Sequence, residues 1–351
     1  MVSDNRITLV KAEEASHWDK IVRSFNNYDV QYLNGYARAF QIHGDGDPVL
    51  LYYEDDSTRA INVAMIRDIA RSRPFCDVLP PGKYFDISTP YGYGGFLIEG
   101  DNYQAVNEAY NRYCYEHGYI SEFVRFHLLN GYQTYYDGIR ELKSQNVIRN
   151  LELPLDSIFM DFEHRRRRSI KKALNGNLSV EIDHTGQKLE DFLNVYYSTM
   201  QRTNASQQFF FSKQFFHAIN SMTDHIVYFH ILHEGKVVST ELVIYGPENC
   251  YFFLGGTDEN YFHLNPNSLL KYEVIKWAKE KGLKRYVLGG GYGANDGIFT
   301  YKKGFSPRGI VDYYIGKKIF RQDIYDELVT VRMQQDVNFD KNHTYFPLYR
   351  A

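Results

Sequence analysis

Residues 250–305, CYFFLGGTDENYFHLNPNSLLKYEVIKWAKEKGLKRYVLGGGYGANDGIFTYKKGF, decide the fold. The aromatic run at 250–254 reads as a strand. Pro266 suits a first helical turn with Asn265 as its cap, and Gly282 ends the helix begun there. Residues 284–288 alternate as a second strand. A glycine-rich loop and YKKGF follow. A faint copy of the same order stands in the first half, where STPYGYGG (88–95) leads into a helical NYQAVNEAYNRYCYEHG (102–118) and a strand at 120–127. The copy lacks the final YKKGF.

The order extends outward from both copies. In the second half, 178–182 is a strand. Leu189, Phe192, Leu193, Tyr196 and Tyr197 recur at helical spacing, and 213–222 fits a second helix. Residues 226–232 and 237–245 form a hairpin around His233, Glu234, Gly235 and Lys236, and 309–315 is a closing strand. In the first half, 7–10 is a strand and 12–25 a helix. Residues 28–40 echo 208–219, and 49–53 with 60–66 echo the hairpin. The loop 72–85 has no counterpart, and 321–351 belongs to neither copy by pattern. A repeat of about 150 residues exceeds the ~20–50 of a solenoid and implies duplicated domains. Hairpins followed by a helical crossover predict α/β units with mixed sheets. The boundary falls near 151–162.

Composition restricts the function. The 351 residues suit two domains, and a net charge of -3 gives no global basic field for nucleic acid. No apolar run reaches the roughly 18 residues of a membrane span, and MVSDNRITLV has no signal-peptide pattern. Cys76, Cys114 and Cys250 are scattered, which fits buried thiols in a reducing compartment and no metal site. A cytoplasmic protein is expected. His230 and His233 face opposite sides of a strand and do not share a metal easily.

Three segments carry candidate chemistry. HRRRRSIKKAL (164–174) puts Ile170, Ala173 and Leu174 on one helical seam and six cations within eight residues. It is either a solvated charged face or a site for phosphate or carboxylate. GGGYGANDG (289–297) permits a forced Gly-x-Gly-x-x-Ala reading through Gly289, Gly291 and Ala294. Asn295, Asp296 and Gly297 read instead as a turn. The loop is either an ordinary turn or bare backbone that a substrate can approach. FTYKKGF (299–305), from spacing alone, reads as a solvated turn.

The order of elements resembles the GNAT acyltransferase fold in two tandem copies, and the chain resembles the FemAB-like family of peptidoglycan-bridge aminoacyltransferases. The residues that carry this are Arg167–Ala173 (RRSIKKA), Tyr197–Arg202 (YSTMQR), Tyr251–Gly256 (YFFLGG), Asn267–Leu270 (NSLL) and Tyr301–Phe305 (YKKGF). The resemblance is good over 160–310 and loose over 1–150. It implies a degenerate, acceptor-binding GNAT-like domain at 1–155, a catalytic one at 156–320, and a tail at 321–351 packing on the first.

The family implies transfer of an aminoacyl group from charged tRNA to an amine of a peptidoglycan precursor, with no bound cofactor. Its essential lysine maps onto Lys302, where a fixed cation stabilises the tetrahedral oxyanion. Arg202, Tyr251, Phe253, Tyr301, Phe305 and Tyr36 are the expected substrate-binding residues. Arg165, Arg168, Lys171 and Lys172 would meet an anionic group of tRNA or of a nucleotide-linked precursor. CoA-using GNAT enzymes cradle pyrophosphate on a glycine-rich loop. Here that place holds Thr257, Asp258, Glu259 and Asn260, whose carboxylates repel it. Those enzymes often carry a proton-donating Tyr where this chain has Thr300. A CoA thioester is thus the alternative donor, and a non-catalytic module binding a cell-wall precursor or sugar nucleotide is the alternative in kind.

Overall fold

A computed structural model of the chain describes residues 6–291, 293 and 296–351. The chain divides into two compact units, residues 1–143 with 313–351, and residues 144–312. The expected readings at Tyr292, Ala294 and Asn295 lie outside the described residues.

The first unit opens with strand β1 (Ile7–Lys11), helices α1 (Ala15–Arg23) and α2 (Asn34–His43), and strands β2 (Asp47–Glu54), β3 (Arg59–Asp68), β4 (Phe85–Ser88) and β5 (Leu97–Glu99). Helix α3 (Tyr103–Glu116) then crosses to β6 (Tyr119–Arg125), and β7 (Ile139–Asn150) leads into the second unit. The unit's sheet runs β1-β2-β3-β4-β6 and is completed by β13 (Ile310–Ile319), which returns after the second unit. Helix α10 (Gln322–Gln335) packs with the chain end in a satellite core of Ile69, Phe75, Ile120, Ile324, Leu328 and Tyr349.

The tail is also fixed by charge. Asp86 on β4, fully buried, accepts from Arg67 (2.6 Å), Arg350 (2.5 Å) and Tyr349 (3.2 Å). Pattern alone missed α10. Cys76 is exposed, which corrects the expectation of three buried thiols.

The second unit begins with the inner half of β7, followed by α4 (Leu155–Asp161), α5 (His164–Leu174), β8 (Leu178–Asp183), α6 (Leu189–Arg202) and α7 (Lys213–Asn220). Strands β9 (Ile226–His233), β10 (Lys236–Tyr245) and β11 (Asn249–Thr257) follow, then α8 (Pro266–Glu280), β12 (Arg285–Gly289) and α9 (Gly297–Lys303). Its sheet runs β7-β12-β11-β10-β9-β8. Almost every residue of β9 and β10 is buried, as expected of strands covered on both faces. Helix α8 buries Leu269, Leu270, Val274, Ile275 and Ala278 against them.

In the second unit β12 pairs antiparallel with residues 147–150 of β7, and in the first β6 pairs antiparallel with residues 315–319 of β13. Hairpin signals reveal neighbours in sequence and say nothing of such distant pairings.

After α9 the chain turns back tightly. A Cβ on Gly309 would lie 1.9 Å from the Ile148 carbonyl oxygen. Gly309→Ala is expected to cost about 2 kcal/mol by overpacking against backbone, read as a lower urea midpoint. An unchanged midpoint would show that this turn relaxes freely.

Candidate active site

The second sheet opens between β11 and β12. These parallel strands pair only over Asn249↔Arg285, Cys250↔Tyr286 and Tyr251↔Val287, while β11 continues beside β10 as far as Thr257. Beyond Tyr251 and Val287 the pairing of β11 with β12 ends. The matching strands of the first unit, β4 and β6, stay joined. Their register runs to Ser88↔Phe123, and Thr89 N donates to Phe123 O (3.1 Å), Gly94 N to Arg125 O (2.6 Å) and His127 N to Gly94 O (2.8 Å). The loop carrying YGYGG laces that sheet shut.

Lys302 stands at the open end of the second unit's splay. Asp296 caps α9, accepting from Phe299 N (2.7 Å) and Gly293 N (3.0 Å). Phe299 and Phe305 anchor the segment in the core. Residues 299–303 are therefore the end of a helix, with Phe299, Lys302 and Phe305 buried, not the solvated turn that spacing suggested. The reason is the Asp296 cap at the helix start and the two phenylalanines that anchor the segment at either end.

Lys302 is 8% exposed, and its Nζ donates to the carbonyl of Gly290, just past β12, at 2.6 Å. The ring of Phe252, the first β11 residue beyond the paired stretch, has its centroid 5.0 Å from this nitrogen. Burial, reinforced by the cation of Lys271, lowers the Lys302 pKa to about 7. Glu241 and Asp296 act in the opposite sense.

Beneath Phe252 lies a second ionic group. Lys271 of α8 is 5% exposed and Glu241 of β10 is 1% exposed. Lys271 Nζ donates to Glu241 Oε2 (2.6 Å) and to Tyr286 Oη (3.1 Å), and Tyr286 donates to the other carboxylate oxygen. Burial lowers the Lys271 pKa, against the pull of Glu241. Burial and then Glu241 raise that of Tyr286.

The expected site residues fall in several places. Tyr301 packs on Phe305 (5.3 Å). Its buried hydroxyl forms no well-shaped hydrogen bond, although Ser268 lies alongside. Phe305 is fully buried against Phe162. Tyr251 is buried, and Phe253 stacks on Phe215 of α7. Strand alternation thus turns Phe252 toward Lys302, one residue away from each expected ring. Arg202 sits over the Phe262 ring at 5.1 Å and 4.0 Å from Glu259. Tyr36 belongs to the first unit, where its hydroxyl donates to Tyr91 O (2.7 Å).

Arg165, Arg168, Lys171 and Lys172 are exposed on α5 and form no ion pair among the described residues. The basic-helix residue that reaches the YKKGF segment is Arg166, whose guanidinium lies 4.7 Å from the Tyr301 ring centroid. Its Nε is buried without a hydrogen-bond partner. Arg167 instead closes the helix start by donating to Met160 O (2.5 Å) and Phe162 O (2.8 Å).

Sequence reasoning therefore missed Phe252, Lys271, Glu241, Tyr286 and Arg166. One signal was available. Lys271 shares the helical face of Val274, Ile275 and Ala278, and Glu241 interrupts an apolar strand. Opposite charges on two buried faces call for each other. Among the described residues, no group of three or more His, Cys, Asp or Glu is placed to hold a metal ion. No described helix is long and apolar enough to cross a membrane.

Comparison with known proteins agrees with this geometry. Residues 161–303 match the acetyltransferase (GNAT) domain family. No curated protein sequence matches the chain. Among solved structures, FemX superposes with a TM-score of 0.67 at 14% identity, covering 92% of this chain and 99% of that one. A conserved protein of unknown function from Bacteroides thetaiotaomicron gives 0.56 at 11% identity, covering 89% and 98%. The C-terminal domain of a putative lysylphosphatidylglycerol synthetase from Agrobacterium fabrum gives 0.51 at 12%, covering 88% and 91%. At such identities the structures speak for the fold. In fold the chain is similar to FemX, and residues 161–303 of its second unit are similar to the acetyltransferase (GNAT) domain family.

Proposed function

We propose that the second unit transfers an aminoacyl group from charged tRNA to an amine of a peptidoglycan-precursor-like acceptor, with Lys302 at the reacting centre. The observation that carries the reading is the placement of Lys302: a buried amine on the Gly290 carbonyl, near where the parallel pairing of β11 with β12 ends. The opening beyond Tyr251 and Val287 gives an extended acyl donor room beside Lys302. Attack by the amine forms the N–C bond and places negative charge on the carbonyl oxygen. The positioned Lys302 nitrogen, as an N–H donor, stabilises that oxyanion by a few kcal/mol. Collapse breaks the ester C–O bond and releases the tRNA hydroxyl. Positioning of amine and ester supplies much of the remaining acceleration.

Two features favour an ester on tRNA over a CoA thioester. Asp258 caps the turn after β11. Burial raises its pKa, but hydrogen bonds from Lys236 and Asn260 outweigh that and keep it below the usual carboxylate value. A carboxylate held ionised there opposes a pyrophosphate. The exposed Arg165, Arg168, Lys171 and Lys172 offer a local basic face to an anionic donor or precursor. The first unit, with its sheet laced shut, suits acceptor binding better than chemistry.

The test is transfer itself. Radiolabelled aminoacyl-tRNA and a nucleotide-linked muramyl pentapeptide should give a labelled precursor, whereas acyl-CoA should give none. Transfer from acyl-CoA alone would replace the donor. Tight precursor binding without transfer from either donor would make the protein a binding module.

A further inference from the structure

Burying Lys271 and Glu241 costs several kcal/mol per ion in lost hydration, and apolar residues of the same volume often pack as well or better. Their placement suggests a use beyond packing. Lys271 Nζ lies 3.7 Å from the centroid of the Phe252 ring, the same ring whose centroid is 5.0 Å from Lys302 Nζ. Two lysine amines thus share one aromatic ring inside a site from which water is largely excluded. Glu241 and Tyr286 hold Lys271 by three hydrogen bonds among the three residues, so its charge has little freedom to move away.

We propose that Lys271, clamped by Glu241 and Tyr286, is a positioning residue that keeps Lys302 in its neutral form until the substrate amine arrives, so that Lys302 can act as the proton acceptor. The proposal rests on the acyl-transfer reading of the same site. The other charged or titratable groups around this cluster are Asp296 ahead of α9, Cys250 on β11, Arg166 on α5 and Tyr301 on α9. Only Lys271 adds repulsion to the burial of Lys302, while Glu241 and Asp296 oppose it.

The chemistry balances. A neutral amine has two N–H bonds and one lone pair. One N–H is engaged by Gly290 O, which orients the lone pair. As the substrate nitrogen bonds to the ester carbon, its proton passes to Lys302 Nζ. The ammonium so formed faces the oxyanion created in the same step. When the C–O bond breaks, the proton returns to the departing oxygen. One nitrogen supplies base, oxyanion donor and acid in turn.

The test uses the intact protein with ε-15N-labelled lysine. The Lys302 signal is assigned by its loss in Lys302→Arg and followed through a pH titration. Lys271→Met should raise the Lys302 midpoint by about one pH unit, and Glu241→Gln should lower it, as expected for removal of a neighbouring like or opposite charge. The acidic limb of the kcat/KM profile should move with the midpoint, making Lys271→Met about fivefold slower at pH 7. Lys271→Gln, nearer in polarity, carries the test if the methionine variant does not fold. An unmoved midpoint in a folded Lys271 variant overturns the proposal even where transfer persists. A moved midpoint with an unmoved kinetic limb overturns the proton-acceptor role. Absence of transfer in the parent protein, with the midpoint moving as expected, counts against the acyl-transfer reading and leaves the electrostatic coupling standing.

Discussion

Lys302→Met is expected to lower kcat about 1,000-fold with KM changed less than threefold. Loss of one preorganised oxyanion donor costs about 2.7–4 kcal/mol in the transition state, and loss of a proton acceptor adds to that. The side chain is buried against Gly290 O and Phe252, so its removal leaves the exposed binding surface intact. The same substitution should stabilise the fold.

The sign follows from burial. The folded-state pKa lies at about 7, below the unfolded value of 10.5, so the unfolded chain binds more protons between those limits. Stability therefore rises with pH across that window, and the full penalty is present below pH 7. Relief of a large part of it should raise the unfolding free energy of Lys302→Met by about 2 kcal/mol or more at pH 6.5 and by little near pH 10.5. Parallel melts at the two pH values check this. A variant that is inactive and also less stable at pH 6.5 would mark Lys302 as a structural cation.

Asp86→Ala should cost about 3 kcal/mol, the second large effect. Asp86 is a fully buried carboxylate on which Arg67, Arg350 and Tyr349 converge. Its removal leaves two guanidinium groups partly buried without their counter-charge, the costly way to break an ion pair. Both arginines keep some solvent contact, with side chains 24% and 15% exposed, which places the estimate at the lower end of the usual ~3–5 kcal/mol. The chain end should loosen first, because Tyr349 and Arg350 reach the sheet through this residue. A lowered melting temperature together with faster protease cleavage after α10 is the expected result. A change below about 0.5 kcal/mol, the scale of an ordinary surface substitution, would show that the apolar satellite core alone holds the tail.

Much of the fold was legible because it rests on local patterns. The helical run from Pro266, the hairpin at Gly235 and the alternating 178–182 strand each declare themselves within a short window. The pairing of β7 with β12 and of β13 with β6 was not legible, since a strand's partner is a long-range property. Helix α10 escaped for a related reason: its buried Ile324, Tyr325 and Leu328 face a small satellite core and make a weak stripe.

At the site, Lys302 was found through its resemblance to a family pattern. Spacing alone pointed to a turn. Tyr251 and Phe253 were expected to line the groove, and Phe252 between them is the ring near Lys302. Strand period two places neighbours on opposite faces, and three consecutive aromatics do not reveal which face holds the chemistry. Lys271 and Glu241 lie 30 residues apart in sequence and meet only once the strands and α8 are stacked.

A crystal structure with a non-hydrolysable aminoacyl-adenosine amide tests whether acyl transfer occurs at Lys302 in the opening between β11 and β12. The acyl carbonyl oxygen is expected within hydrogen-bond reach of Lys302 Nζ, roughly 3 Å, with the ligand's extended part in the opening beyond Tyr251 and Val287. An analogue bound away from that opening, with Lys302 still closed on Gly290, would contradict it.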